Sequence, residues 1–493
     1  MARKRESPSS GSKHSAMRAI QHSSRKDAVY NNRPQHLTGP PIQIYHPAFT
    51  TFIREISRPA DIGTLSHEEL DAAAELISAS LDFFAEESDR RTKLNNLKAL
   101  GDLISPDIKL DARTITLDGT TTVYCPSAKQ DAIVRIVELK NDVGEGASDP
   151  IMQAECGFVL ICSSEMVTFL VRPYSCSTFA LQYKPFFQAS CCPMFLIGVV
   201  GPQLAVSGAV FADNFVSQRL TDYVYLGPHP TYEEESALSH RIRRVAQILR
   251  ALKNATEELK DYYRLLEFRT PQKSKLRSSQ CGNSHTSSVP LHPISLKVVP
   301  PYFQGYAVDG KEYKIHYEGR FAREVSSKAV FKGTIECEGD WKTGRDVVIK
   351  FTYAYCKAAH ERLAADSRAP DLLFCCRMEN IGMYVVVMDY VDGEHVTETP
   401  LEDKKHVDQL RAAIQTLHDE DYVFGDLRGP NILIATDGLK LLDFDWCGKE
   451  RSARYPADIN LDPDIKWHSE VRREGLITKA HDIHMLNLLV GSP

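Results

Sequence analysis

Apolar residues recur along this chain with two different periods, and the change of period marks its elements. From Leu65 to Leu100 they return every three or four positions, at Leu70, Ala74, Ile77 and Leu81, which predicts mostly helix. Glu235 to Leu266 predicts a long helix with Ile242, Val245, Ile248, Leu249 and Leu252 along one side. Shorter unbroken runs predict buried strands at Ala132–Lys140, Asp346–Phe351 and Met383–Val391, the last leading to a hinge at Asp392-Gly393. Cys356–Ala364 has helical composition, and Tyr313 to Thr334 predicts two strands and a turn near Arg323–Lys328. The apolar run Met194–Phe211 approaches membrane length, but Gly201-Pro202-Gln203 at its middle is turn chemistry. Two strands of a buried sheet are expected there.

Polar stretches divide the chain. Residues 1–40 carry Arg3-Lys4-Arg5, Lys13, Arg18, Arg25-Lys26 and Arg33 among many Ser and His, which predicts a disordered basic tail. Residues 270–295 turn to Ser, Pro, Gln and Lys and read as a linker. Two globular segments remain, 41–269 and 296–493, and a length of 493 residues accommodates both. The apolar fraction of 43% is ordinary for globular protein. A net charge of -6 argues against a chain that coats nucleic acid with bulk positive charge. The 12 cysteines are scattered without a C-x-x-C, as reduced thiols of a cytoplasmic or nuclear protein would be. No signal-peptide core or membrane span is expected, and there are no internal repeats.

The densest chemistry lies in Tyr422–Ile434 and Leu441–Asp445. Asp426 and Asn431 are followed, after a strand-like run, by Asp443. Phosphoryl transfer from a nucleotide needs this set: one carboxylate to receive the acceptor's proton, and an amide with a second carboxylate to hold the metal on the phosphates. The protein kinase template H-R-D-L-x-x-x-N, then D-F-G, is present with edits: Phe424 for His, Gly425 for Arg, and Asp445 for the final Gly. Lys350 ends an apolar strand in the manner of V-A-I-K and is expected on the phosphates. Its helical partner is left open between Glu361 and His360. Arg428 is expected to steady the γ-phosphate, with a solvated loop Arg as the alternative. Gly425 removes the Arg that pairs with an activation-loop phosphate, so control by such a clamp is not expected. The phosphate loop has no G-x-G-x-x-G; Ser326 and Ser327 are the small residues that could approach a phosphate. Asp482, at a helix start, is expected either to brace the catalytic loop or to serve as an N-cap.

Gly425-Asp-Leu-Arg428, Asn431, Leu442–Trp446 and His481–Met485 resemble the fungal-type protein kinase family of mushroom-forming fungi. The resemblance implies a bilobed kinase fold over 296–493, ATP and Mg2+ as cofactors, and phosphorylation of Ser or Thr on a protein substrate. The family usually has His where this chain has Phe424, a hydrophobic residue that can still pack under the metal-binding motif. No A-P-E follows Asp443, and the later helices of the C-lobe are expected to be missing.

A second constellation lies in the first half. Glu138 and Lys140 alternate onto one face of their strand. Glu-x-Lys with an acid on the preceding strand is how a restriction-endonuclease-like site binds a divalent ion and steadies phosphate charge. Asp118 is the expected second carboxylate and Asp107 the alternative; the turn and helix start at Gly144–Gln153 could present Gln153. Glu138–Gly144 and Asp149–Gln153 resemble the nuclease-like domain ahead of kinase domains in such fungal proteins and in Crinkler-type effectors. The expected architecture is therefore mixed α+β and α/β: a PD-(D/E)xK nuclease-like domain, then a kinase-like domain with a truncated C-lobe. The expected function is ATP-dependent protein phosphorylation. The rivals are a pseudokinase that binds nucleotide without turnover, and a Mg-dependent nuclease whose partner is nucleic acid.

Overall fold

A computed structural model describes residues 6–23, 28–59, 63–97, 100, 107–110, 113–163, 167–170, 179–181, 186, 189–230, 236–267, 299–321, 327–337, 344–397 and 400–491. The expected linker 270–295 and Ser326 lie outside the described residues. The chain divides into two compact units, the first ending at Phe303 and the second running essentially from Gln304 to the end. The boundary thus falls a few residues beyond the expected 296.

The first unit is built on a seven-stranded sheet. Its path runs β1 (Val29–Tyr30), β6 (Phe215–Arg219), β5 (Gln203–Phe211), β4 (Met194–Val200), β3 (Gln130–Lys140) and β2 (Gly119–Cys125), with residues 224–225 pairing on β5. β2 and β3 are antiparallel, whereas β3 and β4 are parallel. Helix α5 (Pro150–Ser163) lies between β3 and β4 in sequence and is buried on nearly every side, which accounts for its mostly apolar composition, with Gln153 and Glu155 buried among it. The 194–211 run is the hairpin β4–β5, and among the described residues no helix is long and apolar enough to cross a membrane. Helices α2 (Pro47–Ser57), α3 (His67–Ser80), α4 (Glu87–Leu97) and α6 (Ala237–Leu265) complete the unit's main elements. A separate four-stranded sheet contains Asp107 in its backbone.

Three expectations change here. The basic tail forms helix α1 (His14–Ser23), in which Met17 and Gln21, four apart, are both buried. Gln21 exchanges hydrogen bonds with both backbone groups of Val29 and so ties the helix to β1, a role its Ser- and His-rich surroundings concealed. Leu81 is 41% exposed at the end of α3, and Leu76 is buried with Ile77 instead. The sequence also puts Arg241, Arg243, Arg244 and Arg250 on α6, expected as a solvated face with a phosphate-facing surface as the alternative, and part of this cluster is packed into the unit instead. Arg241 is buried, Arg244 donates to the Ile56 carbonyl and Gln247, and Arg250 donates to the Thr64 carbonyl.

The second unit opens with a six-stranded antiparallel sheet in the order β7 (Gly305–Val308), β8 (Lys311–Arg320), β9 (Val330–Glu336), β10 (Asp346–Thr352), β12 (Met383–Asp389) and β11 (Leu372–Met378). On β10, Val347, Ile349 and Phe351 are buried on one face, so alternation sends Lys350 to the other. Helix α7 (Lys357–Ala365) follows β10, and Gly393 of the expected hinge begins a short strand, β13 (Gly393–His395). Helix α8 (Lys404–Asp419) starts at Asp403, whose carboxylate accepts the Lys405 N–H, and buries Leu410, Ala413, Ile414 and Leu417. That stripe packs with Phe424, Leu427, Ile432, Leu439, Leu441 and Phe444 in one core. The remaining strands, β14 (Tyr422–Val423), β15 (Ile432–Ala435), β16 (Gly438–Leu441) and β17 (Gly448–Lys449), carry the candidate site between them, and α9 (Lys479–Val490) closes the described chain.

Candidate functional site

Lys350, Asp426, Asn431 and Asp443, far apart in sequence, all belong to the second unit. β14 ends at Val423, and the chain then runs through Asp426 to a single 3-10 turn, Gly429–Asn431, before β15. Asn431 donates from its side-chain amide to the Asp426 carboxylate at 2.8 Å and to the Asp426 carbonyl at 2.9 Å, which leaves its amide oxygen as the acceptor end. Arg428 grips the same carboxylate through two nitrogens, Nε and Nη2, the latter at 2.9 Å. Its guanidinium also lies over Trp467, 5.3 Å from the ring centroid. In this conformation Arg428 orients Asp426.

The β15–β16 hairpin delivers Asp443, which adopts a left-handed backbone with φ of 68°. A non-glycine residue rarely adopts that conformation, and such residues concentrate at functional sites. Lys350 Nζ donates to Asp443 at 2.6 Å and to Asp445 at 2.7 Å. Thr352, two residues along the same face of β10, donates to the other oxygen of Asp445 at 2.8 Å. Burial works against the Lys350 ammonium, but the two carboxylates outweigh it and hold its pKa above the ordinary value. Burial likewise opposes ionisation of Asp443, and Lys350 outweighs it, so that carboxyl titrates below its usual range. Asp445 goes the other way: burial, reinforced by the neighbouring Asp443, pushes it up to about 6 despite Lys350 and Thr352.

The open choice between Glu361 and His360 is settled by position. Glu361 is exposed and pairs only loosely with Lys357 at 3.6 Å. His360 is fully buried, hydrogen-bonded to the Pro370 carbonyl and the Tyr355 hydroxyl, and stacked on Phe444 at 4.7 Å. Phe424 meets Phe444 edge-on at 5.5 Å. The lysine's second carboxylate therefore comes from Asp445, which the template comparison registered only as a lost glycine. Two acids at i and i+2, Asp443 and Asp445, were the signal that could have identified it.

Asp482 lies in the first turn of α9 but serves the loop. Its carboxylate accepts the N–H of Phe424 at 2.7 Å and of Gly425 at 2.8 Å, and it meets His418 Nε2 at 3.0 Å. Gly425 has φ of 81°, and a Cβ there would lie 2.8 Å from Ile477 Cδ1. Ser327 is an exposed turn residue before β9.

In the first unit, Gly119 pairs with Val137 at the start of β2, which sets Asp118 beside Glu138. Glu138 is fully buried; Gln153, presented by α5, donates to its Oε2 at 2.6 Å. Among the described residues its Oε1 has no donor; its neighbour is the Asp118 carboxylate, which takes the Leu139 N–H at 2.9 Å and Arg91 at 3.2 Å and to which Glu138 can donate only when protonated. Burial, then Asp118, pushes the Glu138 pKa well above the carboxylate range. Lys140 is turned to Glu87 at 2.9 Å. Asp107 belongs to the other sheet, paired with Thr116 and Leu170.

Residues 372–489 match the model of a kinase-like family described as lipopolysaccharide core biosynthesis protein (WaaY). Among solved structures, a match is the Cydia pomonella granulovirus kinase PK-1, 16% identical, with a TM-score of 0.28 over 36% of this chain. The chain spans 65% of the length of that kinase. No curated protein matches the chain in sequence. The second unit has a kinase-like fold, supported by the family match and by the site geometry.

Proposed function

We propose that the second unit is a Mg-ATP-dependent phosphotransferase acting on a hydroxyl, with Ser or Thr of a protein as the acceptor. The observation that carries this reading is the Lys350 ammonium held by Asp443 and Asp445, together with an Asp426 carboxylate oriented by Asn431 and Arg428. An oxygen-only donor set of Asp443 and Asn431 fits a hard ion such as Mg2+, which when bound would neutralise charge on the phosphates. Lys350 would bind the phosphates, and Asp426 would receive the proton of the attacking hydroxyl. The resemblance of these motifs to the fungal-type protein kinases supports the protein acceptor. A saccharide hydroxyl, suggested by the WaaY family's description, is the competing acceptor.

The test is Mg-dependent transfer of labelled phosphate from ATP to the protein itself, to protein substrates and to glycans, beside Asp426→Ala and Asp443→Ala. Loss of general-base assistance should slow transfer by about 10²–10⁴-fold in Asp426→Ala. Equal incorporation by wild type and both variants would overturn the reading. If all are silent while ATP still raises the melting temperature, the unit is a nucleotide-binding pseudokinase.

One observation favours a second activity in the first unit. Glu138 is a buried carboxylate whose Oε1 accepts from no group among the described residues, beside Asp118, to which it can donate when protonated, and with Lys140 on the same strand. A divalent cation between the two carboxylates would satisfy that oxygen, as in a PD-(D/E)xK nuclease. Plasmid cleavage in Mg2+ that disappears in Glu138→Ala supports this; no cleavage with any divalent metal sinks it.

A further inference from the structure

We infer that His468, Glu470 and His481 form a transition-metal site, suited to zinc, that fastens the segment after Trp467 to helix α9. The ligand atoms these three residues offer all lie within 4.8 Å of one another. Two imidazoles and a carboxylate are a donor set zinc takes with water in the fourth position. The three residues come from a surface turn and a helix start and play no part in the phosphotransfer chemistry.

The second observation is the state of His481. It is 2% exposed, and its Nε2 is buried with no hydrogen-bond partner among the described residues. Its Nδ1 is already engaged: it accepts the Thr478 N–H at 3.4 Å and lies 3.2 Å from the Tyr455 hydroxyl. A ring nitrogen left bare at depth is costly unless something fills the position. Metal binding puts the proton on Nδ1, which then donates to the Tyr455 oxygen in place of accepting the long bond from the Thr478 N–H, and Nε2 presents a lone pair as metal-binding histidines do.

The neighbours fit this assignment. The His468 ring lies 5.0 Å from that of His481, and Glu470 is exposed and free to turn inward. Zinc bonds of about 2.0–2.2 Å put tetrahedral ligand atoms roughly 3.4 Å apart, so the His468 and Glu470 side chains close by about an ångström. His484 is also near, with its ring 5.3 Å from His468, but its Nε2 is engaged by the Lys466 carbonyl at 2.9 Å. Water is left as the fourth ligand.

The site's position gives it a consequence. His481 is adjacent to Asp482, which holds the loop carrying Asp426, and Trp467 beside His468 lies against Arg428. A bound ion would stiffen both attachments.

The test is Zn2+ titration of the full chain against a chromogenic chelator, with His468→Ala and Glu470→Gln as partners. Glu470 is exposed and His468 only partly buried, so both variants should fold. Wild type should bind one equivalent more than either variant, or bind it at least ~100-fold more tightly. One equivalent of Zn2+ should raise its melting temperature and leave theirs unchanged. The cysteines are common to all three proteins and cancel in the comparison. Equal stoichiometry and affinity across the three proteins would overturn the assignment.

Discussion

Asp482 Oδ1 accepts the N–H of Gly425 at 2.8 Å, so a residue of the last helix fixes the backbone one position before Asp426. The other oxygen takes the Phe424 N–H and faces His418, and the whole carboxylate is 1% exposed. Asp482→Ala would strand two buried N–H groups, each costing about 1–3 kcal/mol. The variant is expected to lose roughly 3 kcal/mol, read as a fall in melting temperature of about 6–12 °C for this unit. A loss under about 0.5 kcal/mol would show that Asp482 serves only as an ordinary first-turn acid.

Gly425 is required twice over, by its left-handed backbone and by the nearness of Ile477. Gly425→Ala should cost about 1–3 kcal/mol from the backbone alone, with steric crowding added. Pairing it with Ile477→Val separates the two contributions. The double variant should recover only the crowding, so a complete rescue in denaturant melts would refute the backbone part.

Because Lys350 is held by Asp443 and Asp445, the exposed Glu361 has no share in the site. Glu361→Gln should change stability by less than about 0.5 kcal/mol and leave the ATP-induced melting shift intact. His360→Ala empties a buried position against Phe444 and should cost about 2–4 kcal/mol. Loss of the ATP response in Glu361→Gln would reinstate the helix acid as the lysine's partner.

What could be read in advance followed from local pattern. Lys350, Asp426, Asn431 and Asp443 each adjoin a short apolar strand, and their order and spacing restrict the chemistry to few alternatives. The β4–β5 hairpin was legible because Gly201-Pro202-Gln203 breaks an apolar run. Asp445 and Thr352 were not, and His360 stood only as the alternative to Glu361, because these roles depend on which sheet or helix face meets Phe444 and Lys350, a tertiary fact. Helix α1 escaped for a different reason: its buried contacts are one methionine and one glutamine, and the glutamine's value lies in bonds to Val29 that composition cannot reveal.

Asp445 makes the ligand-free protein sensitive to pH. Its folded pKa, about 6, exceeds the ordinary 3.8, so the folded state holds its proton more tightly. That contribution is complete below about 4 and is lost as pH rises through 6. Asp445→Asn should therefore match wild type near pH 3.5 and be more stable, by about 2 kcal/mol or less, at pH 7.5. Melting curves without nucleotide at both values check this. A variant less stable at pH 7.5 would mean that its pairing with Lys350 outweighs burial.

Glu138 allows stability and chemistry to be separated in the first unit. Its pKa is raised, by burial first and Asp118 second, so the folded state again favours the protonated form. Stability from this group is complete below about 4.5 and declines only as pH rises towards the elevated folded value. Glu138→Gln keeps the shape and cannot ionise, so it should be no less stable than wild type at pH 7, whereas Glu138→Ala opens a cavity and leaves Gln153 without its 2.6 Å acceptor. If the two carboxylates hold a divalent ion, Mg2+ or Mn2+ should raise the melting temperature of wild type and not of Glu138→Gln. A Glu138→Gln variant destabilised by more than about 1 kcal/mol, with metal response unchanged, would make Glu138 a structural acid and remove the basis for a nuclease site.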